Sequence, residues 1–225
     1  MFLSLLPSYI FGIFLKIGAE GQMSMILNLF FKLILVIFAM HILLLLIQFI
    51  VAGIITGKNP LKALLTMMPA YVTALGTQSS AATIPVTLMQ AKKNGVNEDI
   101  ADFVIPLCAT IHLAGSTLKI VSCAVAVMYM TGLPTGLDLF SGFIMMLGIT
   151  MVAAPGVPGG AIMAAIAILQ SMLGFDETLI GLMVALYITM DSFGTACNVT
   201  GDGAIALVVN KISASSAGLN QRVDN

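Results

Sequence analysis

From residue 24 to residue 56 the chain is almost continuously apolar, and its main interruptions are Lys32, His41 and Gln48. A bilayer core takes about 20 helical residues to cross, so this run predicts a spanning helix with length left over for tilt or protrusion. Gly57-Lys58-Asn59-Pro60 follows with ordinary helix-stop chemistry. Lys32 is expected to snorkel and His41 to make a contact between helices. A shorter apolar stretch over 1–19, broken by Pro7 and ended by Lys16 and Glu20, predicts another membrane segment, giving two over 1–57.

The pattern then changes. Residues 60–93 are apolar at both ends and interrupted by Gly76-Thr77-Gln78-Ser79-Ser80-Ala81-Ala82-Thr83, with Pro85 just beyond. Lys58 and Lys62 flank one end, Lys92 and Lys93 the other. Lysine in short loops marks the cytoplasmic side, so the segment enters and returns on one side. It reads as a re-entrant helical hairpin, its returning helix starting near Ala82 with Pro85 in the first turn. After Asn94-Gly95 a crossing helix is expected over 97–130, locally unwound at Gly115-Ser116-Thr117. Residues 138–173 repeat the interrupted layout around Ala153-Ala154-Pro155-Gly156-Val157-Pro158-Gly159-Gly160, without flanking lysines. A second hairpin from the opposite side is expected there, then a crossing helix over 176–212 and a polar tail over 214–225.

The last crossing helix carries Asp191, Thr195, Asn198 and Asp202. At about 100° per residue these four fall within a stripe roughly 60° wide. Charge at membrane depth is costly and usually faces a partner, a cavity or an ion. No basic residue lies between Lys119 and Lys211, so a bound cation or an amine-bearing ligand is expected to balance the two carboxylates. On the preceding crossing helix, His112 and Lys119 share a face, and Lys119 needs a partner from elsewhere.

Composition fits this setting. Of 225 residues, 59% are hydrophobic and 8% charged, against about 25% charged in soluble domains. A polytopic, all-α integral membrane protein follows. The net charge of −1 argues against nucleic acid as a partner. Cys108, Cys123 and Cys197 lack metal-ligand spacing and read as small packing residues. No Cys/His or Ser/His pair has usable catalytic spacing, so an enzyme is not expected, and the first residues lack a charged signal-peptide region.

Hairpin plus crossing helix occurs twice over 58–213 with opposite entry sides, the inverted-repeat arrangement of secondary transporters, whose sites lie where broken helices meet. Within that layout, GTQSSAATIPVT (76–87), PLCATIHLAGST (106–117), PGVPGGA (155–161) and DSFGTACNVTGD (191–202) resemble the four signature segments of the dicarboxylate/amino acid:cation symporters, the glutamate-transporter homologues. The resemblance covers the second half of a typical member and implies a glutamate-transporter-like transport domain. The remaining helices, including the trimer-forming scaffold, have no counterpart here, so a fragment or one piece of a split protein is among the expectations.

The resemblance implies substrate contacts at Ser79, Ser80 and Ser116, gate contacts at Gly156, Val157 and Pro158, and a solute grip at Asp191, Thr195 and Asn198. Asp191 would hold an amino group and Asn198 an α-carboxylate. Cation sites are implied at Asp202 with carbonyls near Cys108, His112 and Asn198, and at Thr110 with carbonyls of the second hairpin. Departures matter as well. Ala114 and His112 replace an aspartate and an asparagine of the family pattern, Tyr187 replaces another aspartate, and Gly194 replaces the arginine that clamps a side-chain carboxylate. Glycine offers nothing like a bidentate guanidinium, so a small neutral amino acid is the expected solute.

The expected function is therefore cation-coupled symport, with sodium as coupled ion and no cofactor, in a multi-pass protein of the cell membrane. Lys119 or His112 could stand in for a bound cation or make coupling proton-linked. A homotrimer is implied if the scaffold is present. The alternatives are a dicarboxylate or proton-coupled symporter, an uncoupled channel-like relative and a non-transporting fragment.

Overall fold

A computed structural model describes residues 23–223 together with Ser8, Phe11, Gly12 and Leu15. The expected segment over 1–19 lies, but for those four residues, outside the described residues. Among the described residues every regular element is helical.

Helix α1 (Met23–Thr56) buries Leu33, Ile37, His41, Leu45, Phe49 and Ala52, a stripe with steps of four and then three residues, while Phe31, Leu35, Ile42, Ile50 and Ile54 stay exposed. Such an apolar outer face suits lipid rather than water. Within residues 30–56 an 18-residue stretch reaches a mean hydropathy of 2.9, enough with the helix's length to cross a membrane. Gly57 ends the helix at φ 73°, a left-handed conformation that glycine adopts without a Cβ clash.

Two helical pairs lie over the interrupted runs. Helices α2 (Pro60–Thr66) and α3 (Met68–Thr77) form the outgoing arm and α4 (Ser80–Lys93) the returning arm. Asn59 caps α2 by accepting from the Lys62 N–H at 3.0 Å. Between the arms Gln78 holds φ 52°, and Ser79 caps α4 by accepting from the Ala82 N–H at 3.2 Å. That cap starts α4 at Ser80 rather than near Ala82, so Pro85 lies inside the helix, not in its first turn. Asn94-Gly95 turns the chain, with Gly95 at φ 78° and the Lys58 ammonium donating to the Asn94 carbonyl. The second pair is α7 (Leu137–Met151) and α8 (Gly160–Leu173), joined through 152–159, with Gly159 at φ 73°.

Both crossing segments are broken. The first consists of α5 (Glu98–Ile111) and α6 (Ala114–Thr131), interrupted at His112-Leu113. The break thus precedes the expected Gly115–Thr117 unwinding, and Gly115 sits in the first turn of α6. Its smallness serves packing: a Cβ there would lie 2.7 Å from Cys197 Cβ and 2.8 Å from the Gly194 carbonyl oxygen. The second consists of α9 (Glu177–Thr189) and α10 (Asp191–Val223), bent by 61° about Met190. Helix α10 runs on through Val223, past the end expected near Lys211. By length and apolarity α1 and the α5–α6 segment can each span a membrane, as can α9–α10 if taken as one span; α7 and α8 are apolar but shorter.

The buried side chains form two cores. One joins α6, α7, α8 and α9 with Leu33 and Ile37 of α1. The other joins α2, α3, α4, α5 and α10 with Phe49 and Ala52 of α1. Each broken segment therefore begins in one core and, past its break, enters the other. The breaks at His112-Leu113 and Met190 lie at that handover.

Candidate functional site

Four helices begin beside one another at the handover: α4 at Ser80, α6 at Ala114, α8 at Gly160 and α10 at Asp191. A small cleft of about 10 Å³, room for roughly one water, lies among them, lined by Gln78, Ser80, Ser116, Gly156, Asp191 and Asn198 together with Leu113, Pro155, Val157, Ala161, Tyr187 and Thr195. Helix N-termini carry partial positive charge and unpaired N–H groups, so the walls favour an anion.

Much of the surrounding polar chemistry is already engaged within the chain. Asp191 is 3% exposed. Its Oδ1 accepts from Lys119 Nζ at 2.9 Å and its Oδ2 from the Gly159 N–H at 2.8 Å. Lys119 is fully buried, and its Nζ lies 3.4 Å from the centre of the Tyr187 ring, a cation–π contact strengthened by desolvation. The expected missing countercharge at Asp191 is thus supplied by the chain itself, across 72 residues of sequence. Lys119 does not snorkel to an interface.

Asp202 is likewise partnered. Its Oδ1 lies 2.7 Å from His112 Nδ1, and His112 Nε2 lies 3.1 Å from the Gln48 side-chain nitrogen. Gly201 makes room for this contact, since a Cβ there would sit 2.6 Å from Gln48 Oε1 and 2.7 Å from His112 Cε1. Both carboxylates read from the sequence as awaiting an external cation face internal basic groups instead.

Asn198 acts as a cap from another helix. Its Oδ1 accepts from the Gly115 N–H at 2.8 Å and the Ser116 N–H at 3.3 Å, and its Nδ2 donates to Ser116 Oγ at 2.9 Å. Helix α6 has no side-chain cap of its own at Leu113, so Asn198 satisfies N–H groups that would otherwise be orphaned. From the other side His41 Nε2 meets the Gly115 carbonyl at 3.0 Å, the helix-to-helix contact expected of it.

The two inter-helix turns touch. The Gly156 carbonyl accepts from Ser79 Oγ at 2.8 Å and from the Ala81 N–H at 3.2 Å. A Cβ on Gly156 would collide with the Ala109 carbonyl oxygen. Thr195 makes a long 3.5 Å contact from its hydroxyl to the Gln78 carbonyl. Ser80, 3% exposed, lines the cleft, and its hydroxyl makes no hydrogen bond to the described protein.

Of the residues singled out from sequence, Ser80, Ser116, Gly156, Val157, Asp191, Thr195 and Asn198 line the cleft and Ser79 joins its two turns. Pro158 is exposed and does not line it. Asp202, His112 and buried Cys108 form a neighbouring cluster, the Cys108 carbonyl accepting the His112 N–H at 2.9 Å. Thr110 is exposed, its hydroxyl bonded to the Leu107 carbonyl at 2.8 Å, apart from that cluster. Sequence reasoning missed the Gln48–His112 contact and the Gly159 N–H on Asp191. For Gln48 a signal existed: it lies seven residues after His41, on the same side of α1.

Broken apolar helices meeting at a small polar cleft, with carboxylates buried beside it, are the anatomy of secondary transporters. The chain belongs to the sodium:dicarboxylate symporter family, whose model matches residues 1–212. It is 37% identical over 165 residues to excitatory amino acid transporter 3 of Mus musculus, covering 71% of this chain and 31% of that protein. It is 32% identical over 167 residues to excitatory amino acid transporter 2 of Homo sapiens (72% and 28%) and 33% identical over 165 residues to excitatory amino acid transporter 1 of Rattus norvegicus (71% and 30%). The chain thus spans less than a third of the length of these relatives. Family and relatives are transporters, not enzymes, and the family couples transport to ions rather than to a cofactor.

Proposed function

We propose that the chain forms the solute- and ion-binding part of a cation-coupled symporter in the cell membrane, moving a small carboxylate-bearing solute. The observation that carries this reading is the convergence of four helix N-termini on one small cleft. Their dipoles and the Ser80 hydroxyl favour a carboxylate, while the local negative charge of Asp191 is offset by Lys119. In this reading the pairs α2/α3–α4 and α7–α8 are re-entrant hairpins of a transport core over 58–213, entering from opposite sides. Ser79, Ser80, Ser116, Gly156, Val157, Asp191, Thr195 and Asn198 surround the solute path, with Pro158 on the outer side of the second turn.

Sodium is the coupled ion of this proposal. Asp202, with carbonyls near Cys108, His112 and Asn198, is the candidate cation site, and Thr110 belongs to a second. His112 already faces Asp202, which favours fewer sodium ions per solute than an open carboxylate would take. The neutral amino acid suggested by Gly194 needs a free acceptor for its ammonium. With both Asp191 oxygens engaged, that solute requires Lys119 to let go. A trimer built through a scaffold supplied elsewhere completes the picture.

Calorimetric titration of the purified protein in detergent tests the reading. Binding of a small carboxylate is expected to tighten when sodium replaces a large organic cation. Equal heats in both salts would refute sodium coupling, and no binding of any small carboxylate to folded protein would refute the solute site.

A further inference from the structure

Resting on the proposal that the cleft is a solute site, we infer that Lys119 is a tethered substitute for a solute's ammonium group, and that the cleft selects carboxylates carrying no amino group.

Three observations carry this. First, Asp191 is the cleft's carboxylate and each of its oxygens is already engaged from within, Oδ1 by the Lys119 ammonium at 2.9 Å and Oδ2 by the Gly159 N–H at 2.8 Å, so its charge is met by the chain itself. An incoming ammonium would have to displace a fully buried lysine that has no water to return to. Second, the lysine's place is built. Gly194 leaves the volume open: a Cβ there would lie 3.1 Å from Nζ and 3.3 Å from Cε of Lys119. The Tyr187 ring floors the same volume, 3.4 Å from Nζ. Third, the side-chain acceptors that Asn198 and Ser116 bring to the cleft are engaged with each other and with backbone. Asn198 Oδ1 takes the Gly115 and Ser116 N–H groups, and Ser116 Oγ takes Asn198 Nδ2. What remains for a ligand is the positive end of the four helix dipoles, several of whose first N–H groups are already paired, and the Ser80 hydroxyl, which suit a carboxylate.

A solute ammonium in this cleft would therefore meet positive helix ends with no free side-chain carboxylate. A polar group left without its partner in a dry site is strongly rejected. Lys119 does not touch the solute in this account; it is a positioning residue that removes one recognition element by occupying it.

Matched ligands that differ only in the amino group test the idea. Succinate against aspartate, and propionate against alanine, are titrated in sodium buffer into the full chain purified in detergent. The amine-free member of each pair is expected to bind at least about tenfold more tightly. In Lys119→Met, which leaves Asp191 without its ammonium, the preference is expected to move toward the amino acid by about tenfold or more. The double variant Lys119→Met/Asp191→Asn removes the unpaired charge, guards against misfolding of the single variant and is expected to keep refusing amines. Wild-type protein that binds the amino acid as tightly as its partner overturns the inference. So does a Lys119→Met ratio equal to that of wild type, or a double variant that prefers amino acids. Failure of all four ligands to bind folded wild-type protein overturns the solute-site reading itself, and is distinguishable from the other outcomes because no selectivity ratio can be measured.

Discussion

Gly194 and Lys119 occupy one volume from two helices, so neither position varies freely without the other. Gly194→Arg is expected to lose about 2 kcal/mol or more, because it adds a second cation and bulk to a filled, dry space. Combining it with Lys119→Met is expected to recover much of the loss, with an interaction energy of about 1–3 kcal/mol in a double-mutant cycle of thermal melting. Strict additivity would mean that the two side chains do not compete. Asp191 was legible as a candidate because a carboxylate in an apolar run has few bland explanations. Its partner was not. Lys119 is 72 residues away, and pairing the two depends on the rotation of both helices and on the absence of a side chain at Gly194, which a one-dimensional pattern does not encode.

The helical pairs were legible as elements because their interruptions combine glycine, proline and serine in otherwise apolar runs. Where each helix begins was less so. Ser79 starts α4 two residues earlier than expected, and Asn198 caps α6 from a different helix, which moves the first break to His112-Leu113. Ser79 is both the local cap and a donor to the Gly156 carbonyl. Ser79→Ala is expected to cost about 1–2 kcal/mol in a chemical melt and to speed hydrogen exchange at Ala81 and Ala82. Gln78→Gly is expected to act oppositely, since Gln78 stands at φ 52°. Relief of that left-handed strain should raise stability by up to about 1 kcal/mol, and an unchanged or lower melting temperature would show that the glutamine side chain contributes more than its backbone costs.

Over the whole molecule, the two cores are tied together where α6 crosses α10. Gly115 permits that approach, 2.7 Å from Cys197 Cβ for any added Cβ and 2.8 Å from backbone. Because backbone cannot step aside cheaply, Gly115→Ala is expected to cost about 1–3 kcal/mol and to weaken ligand binding together with stability, since Asn198 bonds the Gly115 N–H. Full affinity in that variant would show that the crossing is not what sets the cleft. The sequence pattern placed the helices and their interruptions, yet not that each crossing segment changes cores partway.

That exchange makes the halves mutual templates. The loop Gly132–Gly136 between them is mostly exposed, whereas α6 and α10 each find their apolar partners chiefly in the opposite half. A chain cut in that loop would yield two polypeptides, each holding a helix that only the other can shelter. Made separately, such pieces should be sticky and short-lived. Made together, they should find one another and copurify, a property useful for labelling one half of the molecule alone.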